Sequence, residues 1–122
     1  MNRIEIDPLD SLFSEYIRRR AVATVGGCER CLTGKTDWKQ LQCSHYHGRS
    51  KRSVRWDEDN AAGLCGACHM YFGAHPIEHV AWFVVRLGRD YDFLLARMRN
   101  MERPDKQVLT LYYTAKIAEL EC

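Results

Sequence analysis

Two Cys-x-x-Cys pairs, Cys28/Cys31 and Cys65/Cys68, constrain this chain more than any other feature. Paired knuckles of this spacing can place four thiolates tetrahedrally on one zinc ion, at about 2.3 Å from it. Four unrelated buried thiols are a much poorer account of the double spacing. With all four positions filled by protein, such a site is structural and not catalytic. It staples a segment that could not otherwise bury enough apolar surface. Residues 28–75 carry most of the Cys and His, with glycines interspersed, so this segment reads as loop-rich and metal-dependent. Cys43 and Cys122 stand outside the pattern, and Cys43 reads as a small buried hydrophobe. The first residues, Met1 to Pro8, are acidic and lack an apolar leader. Export is therefore not expected, and the cysteines point to metal before disulfides.

The remaining chain predicts helices around this core. Asp7 and Pro8 open one over 8–20, with Leu9, Leu12, Phe13, Tyr16 and Ile17 on one face and Arg18-Arg19-Arg20 at its end. Within 28–75 we expect a β-hairpin near 40–55 and a short helix from Gly66. A helix from Pro76 to Gly88, capped by His75, has Ile77, Val80, Ala81 and Val84 on one face. Another over 90–102 carries Tyr91, Leu94, Leu95 and Met98, and Pro104 ends it. A last helix over 106–121 has an ambiguous first half, because of Thr110, Tyr112, Tyr113 and Thr114. The fold class is thus α+β, a single domain over 1–122 with a core at 28–75 and flanking helices at 8–20 and 76–121. The longest apolar run, Val80 to Val85, is too short for a membrane span.

A second set of residues lies inside the zinc frame: Ser44-His45-Tyr46-His47, then Asn60, then His69 directly after Cys68. A structural zinc ribbon needs no histidine after its last cysteine. Between His45 and Asn60 the chain is basic, with Arg49, Lys51, Arg52 and Arg55 before Trp56. Such a loop could be only a solvated hairpin tip, but beside a phosphodiesterase centre it should hold backbone phosphates. Trp56 reads as a core anchor, and Asp57-Glu58-Asp59 as a turn into Asn60. Gly34-Lys35-Thr36 imitates the end of a phosphate-binding loop, but Glu29 stands where its first glycine belongs.

In order and spacing, Cys43-Ser44-His45-Tyr46 and Asp59-Asn60-Ala61-Ala62-Gly63-Leu64-Cys65-Gly66-Ala67-Cys68-His69 resemble the HNH, or His-Me finger, nucleases. The zinc-knuckle form is similar to the phage recombination nucleases of the NinG (Rap) group, and more distantly to the recombination endonuclease VII type. The resemblance covers roughly residues 28–88. It implies a zinc-stapled ββα-metal core and a metal-dependent DNA endonuclease. His45 would be the general base, Asn60 would hold the loop and orient His45, and His69 would bind magnesium or manganese. An imidazole of pKa near 6.5 can take a proton from water at neutral pH, and a metal can stabilise charge on the phosphate. Ser44 stands where many members of the family carry an Asp or His ligand, and His47 is the candidate to replace it. His75 and His79 read as capping or surface groups.

The resemblance further implies a DNA partner, branched DNA in particular, and the cytoplasm of a bacterial or phage-infected cell. A homodimer built on the helices 8–20 and 90–121 would supply two cuts; the same helices could equally complete a monomer's core. A net charge of +2 says little of partners, because four thiolates on zinc add +2 − 4 = −2 and a second divalent ion restores the balance. Two other readings compete: a non-catalytic zinc module that binds nucleic acid, and, more distantly, a cysteine hydrolase using Cys43 and His45.

Overall fold

The computed structural model describes residues 5–100 and 102–121. Met1 to Ile4, Met101 and Cys122 lie outside the described residues. The class is α+β, with five α-helices and a two-stranded antiparallel sheet among the described residues. The order is α1 (Pro8–Val25), β1 (Gln42–His45), β2 (Ala61–Leu64), α2 (Gly66–Ala74), α3 (Pro76–Leu87), α4 (Asp90–Arg99) and α5 (Lys106–Glu121).

The start of α1 follows from its first residues. The Asp7 carboxylate accepts from the Leu9 amide at 2.9 Å, and Asp10 accepts from the Asp7 amide at 2.7 Å. This reciprocal cap satisfies donors that the first turn leaves orphaned. The helix does not stop at Arg18-Arg19-Arg20. It continues one and a half turns to Val25, where Gly26 at φ 75° ends it in the left-handed region. The arginines are thus mid-helix, and Arg20 spends its guanidinium on the carbonyls of Glu58 and Ala61.

The hairpin is wider than 40–55. Gln42 pairs with Leu64 and His45 with Ala61, so residues 46–60 form the connection. That connection is built from two short 3-10 turns, Arg52–Val54 and Glu58–Asn60. Asp57 caps the second, so the acidic run is a turn, as expected. Arg97 on α4 holds Asp57 and Asp59 together, and Ser53 donates to the Met98 carbonyl.

The hairpin separates two apolar clusters. On one face, Leu9, Phe13, Tyr16 and Ile17 of α1 meet Tyr113 and Ile117 of α5, with Trp56 and Ala61. Trp56 is buried as expected, and the Tyr113 hydroxyl donates to its carbonyl. The inner faces of α1 and α5 therefore cover each other. On the other face, Ala62 and Leu64 meet Cys68 and Phe72 of α2 and Phe83 of α3. α5 is helical throughout, its amides at Gln107 and Val108 taken by Asp105. α4 ends at Arg99, short of residue 102.

α3 is turned over relative to the sequence expectation. Ile77 is 85% exposed, and Val80, Ala81 and Val84 are exposed too. The inward face is instead His79, Trp82, Phe83 and Arg86. Aromatic rings stacked on Phe72 and Tyr46, and an ion pair between Arg86 and Glu29, hold it down. His75 occupies the capping position, but its ring stacks on Tyr71 and makes no cap. His79 is not a surface group: it stacks on Phe72 at 4.8 Å.

α1 crosses β2 at Gly63. A Cβ there would lie 2.7 Å from the Ala21 Cβ and 3.3 Å from the Ile17 carbonyl. Gly63→Ala is expected to push α1 off the sheet and cost about 1–3 kcal/mol, measured by urea unfolding. An unchanged midpoint would show that the crossing has slack.

Candidate functional site

The four cysteines of the two pairs converge. Their sulfur atoms all lie within 4.8 Å of one another, with Cys31 and Cys65 at 3.8 Å. A tetrahedron with Zn–S bonds of about 2.3 Å has edges of about 3.8 Å, so the group could hold a metal ion such as zinc. The first knuckle is a tight turn: the Cys28 amide donates to the Thr33 carbonyl, and the Leu32 amide to the Cys28 carbonyl. This turn puts Leu32 at φ 60°, the one described residue other than glycine with positive φ. The second knuckle is the start of α2, where free amides and the helix dipole favour thiolates. A hydrogen bond with the Thr33 hydroxyl is the main cause that draws the Cys31 thiol down to about 6. Glu29 clamps the first knuckle to the sheet, accepting from the Gly63 amide at 2.6 Å and from Arg86 at 2.8 Å. Sequence reasoning missed Glu29 and Arg86, because neither residue type nor spacing marks a pair 57 positions apart.

His45 ends β1. Strand alternation turns Cys43 and His45 toward α1, and Gln42 and Ser44 toward α2. The His45 ring packs 5.6 Å from Phe13, and its Nε2 lies 3.1 Å from the Arg55 carbonyl. A carbonyl only accepts, so Nε2 carries the hydrogen and Nδ1 the lone pair. Burial is the main cause that lowers the His45 pKa from its ordinary 6.5, with Arg49 adding to it. The ring is therefore neutral at pH 7, as a general base must be.

Asn60 is fully buried and holds the loop by three bonds. Its Oδ1 accepts from the His47 amide at 2.8 Å, and its Nδ2 donates to the carbonyls of His47 and Val54. It fixes the connection on both sides of the basic residues and makes no hydrogen bond to the His45 ring. Asn60→Ala is expected to cost about 1–3 kcal/mol for each backbone group left unpaired in the interior, and to speed hydrogen exchange at His47. Wild-type exchange at His47 in this variant would contradict that role.

His69 lies on the other face of the hairpin, where Nδ1 is 2.6 Å from the Gln42 Oε1. The amide oxygen accepts, leaving the His69 Nε2 lone pair free. Gln42 is another partner that sequence reasoning missed. His47 stacks on Tyr46 at 4.4 Å, with its Nε2 buried and unbonded. Ser44 is 1% exposed. Among the described residues, the four cysteines are the one group of three or more metal-ligating side chains drawn together. His47 and His69 do not join such a group.

The basic loop is split in use. Arg55 is taken by Asp10 at 2.5 Å and by the Glu5 carbonyl, and Arg49 lies 4.0 Å from Asp10. Lys51 and Arg52 are exposed. Cys43 is partly buried against the α1–α5 cluster, and desolvation pushes its thiol up to about 12, which removes it as a nucleophile at neutral pH. No described helix is long and apolar enough to cross a membrane. Comparison with protein-family models, curated proteins and solved structures finds no match to this chain.

Proposed function

We propose that the protein is a metal-dependent DNA endonuclease with a zinc-stapled ββα-metal core. The observation that carries this reading is His45: a neutral, half-buried imidazole at a strand end, held at Nε2 by the Arg55 carbonyl. That arrangement presents Nδ1 as a base, next to a loop whose Lys51 and Arg52 are open to phosphates. The His45 Nδ1 would take the proton of a water attacking the phosphodiester, while Asn60 holds the loop through its bonds to His47 and Val54. Zinc on the four cysteines would fix the frame and take no part in the reaction. His69 Nε2 is the chain's candidate ligand for magnesium or manganese, which would stabilise charge on the phosphate and the leaving 3′ oxygen; it lies across the hairpin from His45, so the phosphate would have to reach round the strand end to meet both. Gln42 holds the His69 tautomer that leaves Nε2 free for that task.

A second reading, a non-catalytic zinc module that binds nucleic acid, is favoured by Ser44. It is buried in the position of the family's ligand, and its hydroxyl is a poor substitute for a carboxylate. Nicking of supercoiled plasmid separates the two. The nuclease reading expects nicks with added magnesium or manganese, none after chelation, and recovery on re-addition. Binding without nicking under all three conditions leaves the module. The substrate reading, branched DNA cut in a phage recombination setting by a homodimer, is tested by rates on a four-way junction, a flap and a linear duplex, with solution mass alongside. Equal rates by a monomer reduce it to a nonspecific nuclease.

A further inference from the structure

The first two arginines of the run in the middle of α1 gather at Trp38. Arg18 lies over the face of Trp38 at 4.5 Å and Arg19 at 4.9 Å, with Lys39 at 5.8 Å. Three cations around one indole repel one another, and the ring's own attraction for them is about 0.5–1 kcal/mol each at exposed sites. Arg19 is neutralised, by Glu15 at 2.9 Å and Glu121 at 3.2 Å. Arg18 is not: its Nε donates to the Ser14 carbonyl. Lys39 is exposed, and the nearby Asp37 spends a carboxylate oxygen on the Lys39 amide. Two positive charges beside a half-exposed indole therefore face solvent, with no carboxylate on them among the described residues.

Their place matters as much as their charge. Asp10, Ser14 and Arg18 follow one another at four-residue spacing along one edge of α1. Arg49 and Arg55 gather at Asp10, and the His45 ring lies on the same side of the hairpin, against Phe13. Arg18 is eight residues further along, about 12 Å at 1.5 Å per residue. That span equals the rise of about three to four base pairs of duplex, at about 3.4 Å each along its axis.

We infer that Arg18 and Lys39, around Trp38, are a second DNA-backbone contact, further along α1 than the arginines gathered at Asp10. The inference rests on the DNA-cleaving reading above. The indole holds the Arg18 guanidinium in place, and Arg18 and Lys39 hold the phosphates. The loop at Lys51 and Arg52 then grips one end of the footprint and the α1 edge the other. Neither grip reads sequence.

The test is the salt dependence of binding to a fluorescein-labelled 20-base-pair duplex, with no magnesium or manganese added. Arg18→Gln/Lys39→Gln should lower the magnitude of the log K against log salt slope by about 1.8, which is about 0.9 for each phosphate that is no longer neutralised. The charge-conserving Arg18→Lys/Lys39→Arg should keep the wild-type slope, and zinc content and melting identify any variant that has lost its fold. A merely structural role on Trp38 predicts the reverse: a lower melting temperature and an unchanged slope. A wild-type slope in the Gln variant, with a reduced one in Lys51→Gln/Arg52→Gln, overturns the second grip while leaving the nuclease reading intact. Absence of any salt-dependent binding by the wild-type protein overturns both.

Discussion

Cys68→Ser is expected to lose the metal and the cooperative fold together. Metal analysis should fall from about one zinc per chain to almost none, and the thermal transition should flatten. The reason is a comparison of magnitudes. Structural zinc sites contribute about 10–16 kcal/mol at pH 7, while a whole domain is stable by about 5–15 kcal/mol. Cys68 is buried at the first turn of α2, beside Phe72, which anchors the cluster between α2, α3 and the sheet. Without the ion, the knuckle at Cys28 is tied to α2 by Arg30, which lies over Tyr71 and Phe72, and to the sheet and α3 by Glu29, bonds too few to replace the ion's contribution. Cys28→Ser should behave alike, for the same geometric reason. Cys43→Ser, outside the cluster, should keep its zinc. A Cys68→Ser protein that contains no zinc yet melts as the wild type does would sink the structural role.

How far the sequence discloses this molecule depends on whether the cause of each feature is local. The four-cysteine cluster is legible because ligand spacing is a local property. The start of α1 is legible too, since Asp7, Pro8 and Asp10 act on their own neighbours. β2 is not: Ala61-Ala62-Gly63-Leu64 has weak strand propensity and is a strand only because β1 and α1 pack on it. The face of α3 misleads for a physical reason. Its most apolar stripe is exposed, while His79, Trp82, Phe83 and Arg86 find aromatic and acidic partners outside the helix, Tyr46 and Glu29 among them. The basic loop shows the same limit. Arg55 reads like its neighbours in the sequence, and only the fold reveals that Asp10 has claimed it. His45, Asn60 and His69 are legible as polar residues in a metal-dependent segment. The carbonyl at Arg55 and the amide at Gln42, which fix the two rings, are not.

His45→Ala is expected to reduce cleavage by about 10²–10⁴-fold, the usual contribution of a positioned general base. Zinc content should not change, because His45 lies outside the four-thiolate cluster. The pH profile separates loss of a base from loss of packing against Phe13. Burial lowers the His45 pKa, so the wild-type rate should hold down to about pH 6.5 and decline only below it, as the ring gains its proton. Stability should move in the same direction: the folded ring binds a proton less readily than the unfolded one. Its contribution is thus complete above about pH 6.5 and is lost as the pH falls from there through the lowered value. Arg49 is one of the charges that depress this pKa, and Asp10 opposes it. Arg49→Gln should therefore shift the acid limb upward, toward the ordinary value, and Asp10→Asn should shift it downward. Neither shift is expected in His45→Ala, whose residual rate should lack that limb. Undiminished cleavage by His45→Ala, or an acid limb that survives in it unaltered, would remove His45 from the reaction and leave the nucleic-acid-binding module as the better account.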